Sequence, residues 1–338
     1  MNDLNGGLLR GVNHEIMVFG IDVRYIGYFI MDQENIGTAL GGSEDELLSH
    51  IRALEKSGQY EEMLEVAERI IELNPGSAEA LAWKARALQK LEHISEATIA
   101  NDQALLLDTN LPLAWINRSG LQILQERFPD GLRSATRATE LAPKDARAWA
   151  NKGMALYNLN NLLGALAAFN QSLACDPDYL FSLHVKGEIL RRFGRLHELA
   201  ETMRHALEID PSDVASLGLM TQALRTLEEY AELPPITERL TRLTPDSPYA
   251  WDSHMRTLRA LGRFEEASEA IDRLLELIPD DEHLWSIKAD NLFRLERYRE
   301  SALAAEQALH YNQQYAPARR IHEKAIRLMY QRKGKRRK

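Results

Sequence analysis

The sequence predicts an all-α protein, a solenoid of eight stacked helix-turn-helix units, because two residue types recur with one period. Six of the twelve prolines and four of the five tryptophans keep a 34-residue spacing, each type at its own phase. Since the two types serve different structural purposes, a period shared over more than 200 residues indicates one repeated unit. These residues are Pro75, Pro143, Pro177, Pro211, Pro245 and Pro279, and Trp115, Trp149, Trp251 and Trp285.

Each unit reads as two helices. In unit four, Trp149, Gly153 and Leu156 are spaced three or four apart and form the apolar stripe of a first helix. Ala165 and Phe169 belong to the stripe of a second helix, and a proline near the end of the unit stops it. The units fill residues 44–315 without insertion or deletion, as 44–77, 78–111, 112–145, 146–179, 180–213, 214–247, 248–281 and 282–315.

Small residues recur where two helices approach closely, because a larger side chain would force them apart at a cost of ~1–3 kcal/mol. The sixth unit departs from this pattern with Leu233 and Leu240, and it carries Pro234 and Pro235. A helix tolerates proline only in its first turn. We therefore expect the second helix of this unit to start late, near Pro234. Two interpretations stay open, a loose junction between units and a shortened helix without functional meaning.

Both ends of the chain fall outside the period. Residues 1–43 contain a run rich in Val, Ile, Phe and Tyr, and we expect an N-terminal arm that is irregular or forms short strands. Residues 316–331 predict a final helix that caps the eighth unit. Residues 332–338 form a basic tail, which is either solvated or bound to an acidic surface or nucleic acid.

The composition narrows the class of protein. A hydrophobic fraction of 45% is ample for a core, and a formal net charge of -9 argues against a protein that mainly coats nucleic acid. The single cysteine excludes an internal disulfide, and because Leu or Ile fills its position elsewhere, we expect Cys175 to be buried and apolar. The most apolar run, residues 16–31, is too short and too polar to cross a bilayer. We expect a cytoplasmic protein without membrane contact.

Unit four carries an aromatic residue, a Gly, an Ala, a second aromatic residue and a Pro at fixed offsets, as Trp149, Gly153, Ala165, Phe169 and Pro177. In this pattern and its period, about four-fifths of the chain resembles the tetratricopeptide repeat (TPR) family. The resemblance implies a right-handed α-solenoid. It also implies that the first helices line a concave groove and that partners lie along it.

No motif indicates a catalytic, cofactor or metal site. The sequence has no Gly-rich phosphate loop, no GxSxG and no HExxH, and its ten histidines are scattered. His197 and His205 lack a third ligand in the same unit, which argues against a metal ion there. Eight units, a cap and a tail leave no stretch for a catalytic domain, so we expect a protein that is not an enzyme and has no cofactor.

The resemblance places six positions of each first helix in the groove, the second, fifth, sixth, ninth, twelfth and thirteenth. These positions hold eleven basic and six acidic residues, so the groove is net +5 in a chain of net charge -9. Arg191, Arg225 and Arg259 lie 34 apart and should form a ladder of guanidinium groups that suits carboxylate or phosphate. The candidate groove residues are Arg86, Asn117, Arg147, Asn151, Tyr157, Asn158, Arg191, Arg192, Arg225, Arg256 and Arg259.

Each of these assignments has an alternative. A cation near the end of a first helix also offsets the helix dipole, at ~0.3–1 kcal/mol, whether or not a ligand binds. By resemblance, Asn117 and Asn151 would hold the backbone of an extended peptide. Tyr157 either anchors an apolar side chain or packs between helices.

The leading hypothesis is a non-enzymatic interaction scaffold that binds an extended acidic segment of a partner protein around units four to seven. The alternative is RNA binding through the same arginines and aromatic residues and the basic tail, which the acidic total disfavours. Self-association through the N-terminal arm or an array end is a third hypothesis. The chaperone-tail clamp of the family needs Lys, Asn and Arg on three consecutive first helices, and no three units supply that set.

Overall fold

The computed structural model describes residues 43–335, and in that range the chain forms seventeen α-helices and no strand. The first sixteen helices pair as hairpins one to eight, and the seventeenth follows the last hairpin, which confirms the predicted fold class. The helices are α1 (Glu44–Ser57), α2 (Tyr60–Leu73), α3 (Ala78–Lys90), α4 (Ile94–Leu107), α5 (Pro112–Leu124), α6 (Phe128–Leu141), α7 (Ala146–Asn158), α8 (Leu162–Cys175), α9 (Leu180–Arg192), α10 (Leu196–Ile209), α11 (Val214–Thr226), α12 (Leu233–Leu243), α13 (Pro248–Ala260), α14 (Phe264–Leu277), α15 (Glu282–Arg294), α16 (Tyr298–Tyr311) and α17 (Ala316–Lys335).

The shared period of proline and tryptophan has a structural cause at the junctions between hairpins. The indole Nε1 of Trp149 donates a hydrogen bond to the carbonyl of Pro143, six residues earlier, at 2.9 Å. Trp251 and Trp285 repeat this bond at 2.8 Å, to Pro245 and Pro279 respectively. Because the tryptophan lies in a first helix and the proline follows the preceding second helix, each bond holds one hairpin against the next.

The turn inside each hairpin requires a left-handed backbone at one fixed phase. Three of the eight turns place glycine there, Gly58, Gly194 and Gly262, with φ of 75°, 68° and 71°. The other five place a residue with a side chain in the same conformation, at a cost of about 1–2 kcal/mol for a non-glycine residue. These five are Glu92, Glu126, Asn160, Glu228 and Glu296.

The core is a row of apolar clusters between successive helices, as expected for a solenoid in which each unit contacts only its neighbours. The predicted small positions are buried, and Gly153 shows why they are small. A Cβ added at Gly153 would lie 2.9 Å from the ring of Phe169, which is itself fully buried. The helices of hairpin four therefore approach too closely for a side chain at that point.

The second helix of hairpin six starts late, as the sequence predicts. A 3₁₀ turn at Tyr230–Glu232 precedes α12, which places Pro234 and Pro235 in its first turn and is 11 residues long, against 14 for α10 and α14. Leu233 and Leu240 are almost fully buried in this shorter helix. Thr237 bridges to the next hairpin through His254 Nδ1, at 2.9 Å. A hinge at this junction stays a prediction.

The last helix packs on hairpin eight through Ala318 and Ala325, both fully buried. It extends to Lys335, so the first four residues of the predicted basic tail are helical in the structure. Three of these four residues are Lys or Arg, which are good helix formers and offset the dipole at a helix C-terminus. The predicted N-terminal arm, up to residue 42, and residues 336–338 lie outside the described residues.

Candidate functional site

The first helices line the inner side of the stack. Helix α3 packs on α5, α5 on α7, and α9 on α11, so consecutive first helices are neighbours. A side-chain contact also joins hairpins one and four, because Arg147 on α7 reaches Glu55 on α1, 92 residues away in sequence. A contact between hairpins this far apart requires the row of first helices to curve around a common groove.

Glu55 is the centre of an ion cluster in the N-terminal half of this groove, which we call the Glu55 cluster. One Glu55 carboxylate oxygen accepts from Arg86 Nε and from Arg147 Nη1, both at 3.0 Å. Arg147 also donates to Asp145 through Nη2 at 2.8 Å. The side chains of Glu55 and Arg86 are only 20% and 16% exposed, so the cluster is largely removed from water. Two candidate residues, Arg86 and Arg147, are therefore satisfied within the protein.

The electrostatics of the Glu55 cluster favour its charged form. Burial alone would raise the pKa of Asp145, but the hydrogen bonds and charge of Arg147 outweigh burial and hold that pKa below its usual value. Burial alone would lower the pKa of Arg147, but Asp145 and Glu55 outweigh burial and keep that pKa raised. Asp145 and Arg147 therefore both keep their charges across the neutral range.

A cavity of about 700 Å³ lies beside the Glu55 cluster, and we call it the basic cavity. Lys90 lies at its wall with the ammonium 5.7 Å from the centre of the Tyr60 ring. Burial, together with the charge of Arg86, lowers the pKa of Lys90 to about 8. The residues that line the cavity are Glu55, Lys56, Tyr60, Arg86, Lys90, Lys144, Asp145, Ala146, Arg147, Cys175, Asp176 and Tyr179.

Seven of these lining residues come from turns or helix ends that the sequence reasoning did not assign to the groove, and Asp145, Tyr179 and Cys175 are among them. Asp145 caps α7 by accepting from the Arg147 backbone N–H, and Tyr179 directly precedes α9. The expectation that Cys175 is buried is wrong, because this last residue of α8 is partly exposed. The equivalent Leu73 is 56% exposed, so this position lies at the rim of the stack in more than one hairpin.

In the C-terminal half of the groove, Glu188 on α9 holds two arginines. It accepts from Arg191 at 2.7 Å and from Arg192 at 3.1 Å. Burial would raise the pKa of Glu188, but the two guanidinium groups outweigh burial and lower it. Arg192 also lies over the ring of Tyr157, 4.8 Å from its centre. Tyr157 therefore packs against a cation, and burial raises its pKa.

Asp290 on α15 holds a second pair of arginines. It accepts from Arg259 at 2.7 Å and from Arg294 at 2.9 Å. Arg259 also donates to the carbonyl of Ile287 at 3.0 Å. Burial opposes ionisation of Asp290, but the two arginines outweigh it and lower the pKa. A further candidate on α13, Arg256, is 49% exposed and donates to Asp252 at 2.6 Å within the same helix.

Arg225 on α11 differs from the other two arginines of the predicted ladder. Within the described residues its side chain has no hydrogen bond and no carboxylate within 4.0 Å. Its charge acts on Tyr249: burial raises the pKa of Tyr249, and the charge of Arg225 opposes that rise. In the ladder, Arg191 and Arg259 are thus paired with carboxylates, and Arg225 between them is free.

The three candidate asparagines serve the fold. Asn117 is fully buried and its Nδ2 donates to the carbonyl of Ala82 at 2.8 Å, so it is closed to a peptide and leaves the candidate set. Asn151 donates to the carbonyl of Ile116 at 2.9 Å and is half-buried. Asn158 donates to Met154 in its own helix. A signal for this existed in the sequence, since the position of Asn117 holds Trp83, Val185, Leu219 and Ile287 in other units.

Residues 43–335 contain neither a metal-binding cluster nor a membrane-spanning helix. No group of three or more His, Cys, Asp or Glu side chains is placed to hold a metal ion. None of the helices there has both the length and the apolar character needed to cross a membrane.

The stacked hairpins and their inner groove define a helical-repeat protein. Three models of the tetratricopeptide repeat family match the chain, at residues 44–87, 125–179 and 256–281. Together with eight hairpins at one period, these matches show that the chain belongs to the tetratricopeptide repeat family.

Two curated relatives share this repeat. The heat shock protein sti1 homolog of Schizosaccharomyces pombe is 33% identical over 101 residues, which is 30% of this chain and 17% of the relative. Tetratricopeptide repeat protein 8 of Caenorhabditis elegans is 26% identical over 149 residues, which is 44% of this chain and 29% of the relative. The chain thus spans less than a third of either relative.

A solved structure supports the fold. The structure of pilF from Pseudomonas aeruginosa matches with a TM-score of 0.54 and 18% identity, over 62% of this chain and 95% of that one. At this identity the match concerns the arrangement of helices alone.

Proposed function

We propose that the chain is a non-enzymatic scaffold that binds an extended acidic segment of a partner protein along the first helices of hairpins five to seven. The observation that carries this proposal is the unpaired Arg225, which lies between two carboxylates that are each shared by two arginines. A surplus of guanidinium donors in a groove attracts carboxylates, which accept in the same planar geometry.

The charge of this half of the groove supports an acidic ligand. In hairpins five to eight, the groove positions hold six arginines and three carboxylates, a net charge of +3. A carboxylate shared by two arginines leaves donor N–H groups on both, because guanidinium has five donors. Arg192, Arg256 and Arg294 are 41%, 49% and 52% exposed, so their remaining donors are open to a ligand.

The proposed segment begins at hairpin five because hairpin four is occupied. The only groove charge of hairpin four is Arg147, and it is committed to Glu55 and Asp145. An acidic peptide would have to displace two carboxylates to reach it.

The test uses fluorescence anisotropy with a labelled glutamate-rich peptide and the full chain. Replacing Arg191, Arg225 and Arg259 by Gln should weaken binding by more than about tenfold, and Arg225→Gln alone by about tenfold, since a charge-assisted contact contributes ~1.5–3 kcal/mol when buried and less when exposed. The matched control is Arg273→Gln, on the second helix of hairpin seven. Affinity of the triple variant equal to that of the wild type, with helicity unchanged, would remove this site.

A parallel titration with single-stranded RNA distinguishes peptide binding from the alternative function, RNA binding. RNA binding through the same arginines would fall steeply with salt, in proportion to the phosphates contacted. We expect the peptide to bind more tightly than RNA at physiological salt. Tighter binding of RNA than of the peptide would contradict a protein partner and favour RNA as the ligand.

A further inference from the structure

The basic cavity contains more cations than its carboxylates can pair. Lys56, Lys90, Arg86, Lys144 and Arg147 line it. The two arginines share Glu55 in the Glu55 cluster. Within the described residues, none of the three lysines has a carboxylate oxygen within 4.0 Å of its ammonium. The cavity therefore presents three ammonium groups whose donors are not taken by the protein.

The charge balance of the lining residues identifies the kind of ligand that would fit. Five cations and three carboxylates, Glu55, Asp145 and Asp176, leave a net charge of +2. A carboxylate ligand would neutralise half of this surplus. A phosphate monoester carries about -1.5 to -2 charges at neutral pH and three acceptor oxygens, which matches the surplus and the three lysines.

The size and the other walls of the cavity agree with a small phosphorylated molecule. A volume of about 700 Å³ lies within the range of about 300–1,000 Å³ that small-molecule sites occupy. Tyr60 and Tyr179 supply aromatic surface and hydroxyl groups beside the lysines. The turn and helix-end residues that the sequence did not assign to the groove, such as Tyr179, thus form part of the wall of this open cavity.

Lys90 is the residue whose state a bound anion would change most. It holds a charge in a largely buried position, which is unfavourable without a partner. Its neighbours include Glu55, Lys56, Arg86 and Arg147, with Tyr60, Asp145, Cys175 and Tyr179 at the other walls. An anion at this point supplies the charge compensation that the protein itself does not provide.

We propose that the basic cavity, which is lined by hairpins one, two and four and the turns on either side of hairpin four, binds the phosphate group of a small phosphate monoester through Lys56, Lys90 and Lys144. This site is separate from the proposed peptide segment, since it uses none of Arg191, Arg225 and Arg259. Either function can fail without the other.

The test is isothermal titration calorimetry of the full chain with phenyl phosphate, inorganic phosphate and acetate at constant ionic strength. We expect both phosphates to bind and acetate to bind at least about tenfold more weakly. Tighter binding of phenyl phosphate than of inorganic phosphate would mean that the aromatic walls contribute. Equal affinities would mean that the phosphate group alone is recognised, as the proposal states.

Lys90→Met is the informative variant, because methionine keeps the length of the side chain and removes its charge. It should weaken binding of phenyl phosphate by about tenfold or more. Lys152→Met is the matched control, since Lys152 lies on α7 over Trp149, outside the cavity lining, and should leave affinity unchanged. The Arg225→Gln variant should also bind phenyl phosphate normally.

The pH dependence gives a second readout that does not depend on a variant folding. Phenyl phosphate remains a dianion above about pH 7.5, whereas Lys90 in the free protein loses its proton around its pKa of about 8. Affinity should fall by about tenfold or more between about pH 7.5 and about pH 9.5, and this fall should be much smaller in Lys90→Met. No binding of either phosphate, acetate binding as tight as phosphate, or a flat pH profile in the wild type would overturn the proposal.

Discussion

In the two halves of the groove, charged residues at equivalent helical positions make different contacts. In the N-terminal half, Glu55 on hairpin one reaches Arg147 on hairpin four and joins first helices that are three units apart. In the C-terminal half, the groove ion pairs stay within one helix, as in Arg191–Glu188, or join neighbouring hairpins, as in Arg259–Asp290. The repeat thus fixes the backbone position of each groove residue. The identity of its neighbours decides whether it bridges the groove or stays available to a ligand.

This difference has an electrostatic consequence. The long-range pair joins Glu55 to Arg147, the one charged groove residue of hairpin four, and the lysines of the basic cavity have no carboxylate partner among the described residues. In the other half, the unpaired cation is Arg225, which lies on a first helix between Arg191 and Arg259 in the ladder. One half therefore presents a cavity lined by lysines and the other a row of arginine donors.

The largest expected effect comes from removing the centre of the Glu55 cluster. Glu55→Gln leaves Arg86 with a neutral partner and Arg147 with Asp145 as its remaining carboxylate, in a largely buried position. We expect the free energy of unfolding to fall by about 2–3 kcal/mol. Urea unfolding would measure this loss, and hydrogen exchange should show it first in α1. Glu79→Gln is the control, since its pair with Arg52 is 36% and 54% exposed and contributes at most about 1 kcal/mol. Equal losses in the two variants would mean that the cross-groove pair has no special role.

The next effect concerns the pH dependence of stability. The pKa of Lys90 is about 8 in the folded protein and 10.5 when unperturbed, so the folded state binds fewer protons between these values. Stability should therefore rise with pH in that window, by roughly 2 kcal/mol between about pH 7.5 and about pH 9.5 relative to Lys90→Met. Chemical denaturation of both proteins at several pH values would measure the difference. Parallel pH profiles would show that the cavity does not hold Lys90 out of water.

Packing at one small position should differ between the halves. Gly153→Ala in hairpin four brings a Cβ to 2.9 Å from the buried ring of Phe169, which cannot move easily. We expect a loss of about 1–2 kcal/mol. Gly187→Ala in hairpin five meets the terminal methyl of Met203 at 2.6 Å and the Leu199 Cδ1 and Met203 Sδ atoms at 3.3 Å, and these are atoms near the ends of flexible side chains that can shift. Thermal unfolding of Gly187→Ala should thus resemble that of the wild type, and a larger loss there than in Gly153→Ala would reverse this ranking.

The smallest effect should be the same in both halves. Glu92→Gly and Glu228→Gly replace residues with positive φ, 65° and 60°, by glycine, which adopts that conformation without strain. Each should raise the free energy of unfolding by about 0.5–1 kcal/mol. Gly194→Ala, at the same phase, should lower it by a similar amount. Different signs for the two glutamate variants would show that the halves differ in backbone as well as in side chains.

The sequence was sufficient for the architecture because the features that determine a helical hairpin are local. In-phase prolines and tryptophans, small residues at crossings and the Pro234–Pro235 pair all act within one unit or its neighbour. The Glu55–Arg147 contact has no such local signal, since it depends on how far the row of first helices curves over three units. The same holds for the basic cavity, whose walls include inter-hairpin turn residues such as Asp145 and Tyr179.

The surplus of cations at the assigned groove positions follows from the sequence, but which of these cations are available to a ligand was not visible in one sequence. Arg191 and Arg259 have carboxylate partners, one on the same helix and one on the next hairpin. Asn117 is buried because its position faces the neighbouring first helix, as the apolar residues at this position in other units indicate. Comparing one position across all units is thus a better guide to burial than the position within one unit.

The most direct test of the difference between the halves is to locate a bound acidic peptide. A glutamate-rich peptide that carries a photo-crosslinking residue would be irradiated with the full chain, and the attached sites would be mapped by mass spectrometry. We expect crosslinks on α9, α11 and α13, and their loss in the Arg191, Arg225 and Arg259 triple variant. Crosslinks concentrated on α1, α3 and α7 would contradict the assignment of peptide binding to hairpins five to seven.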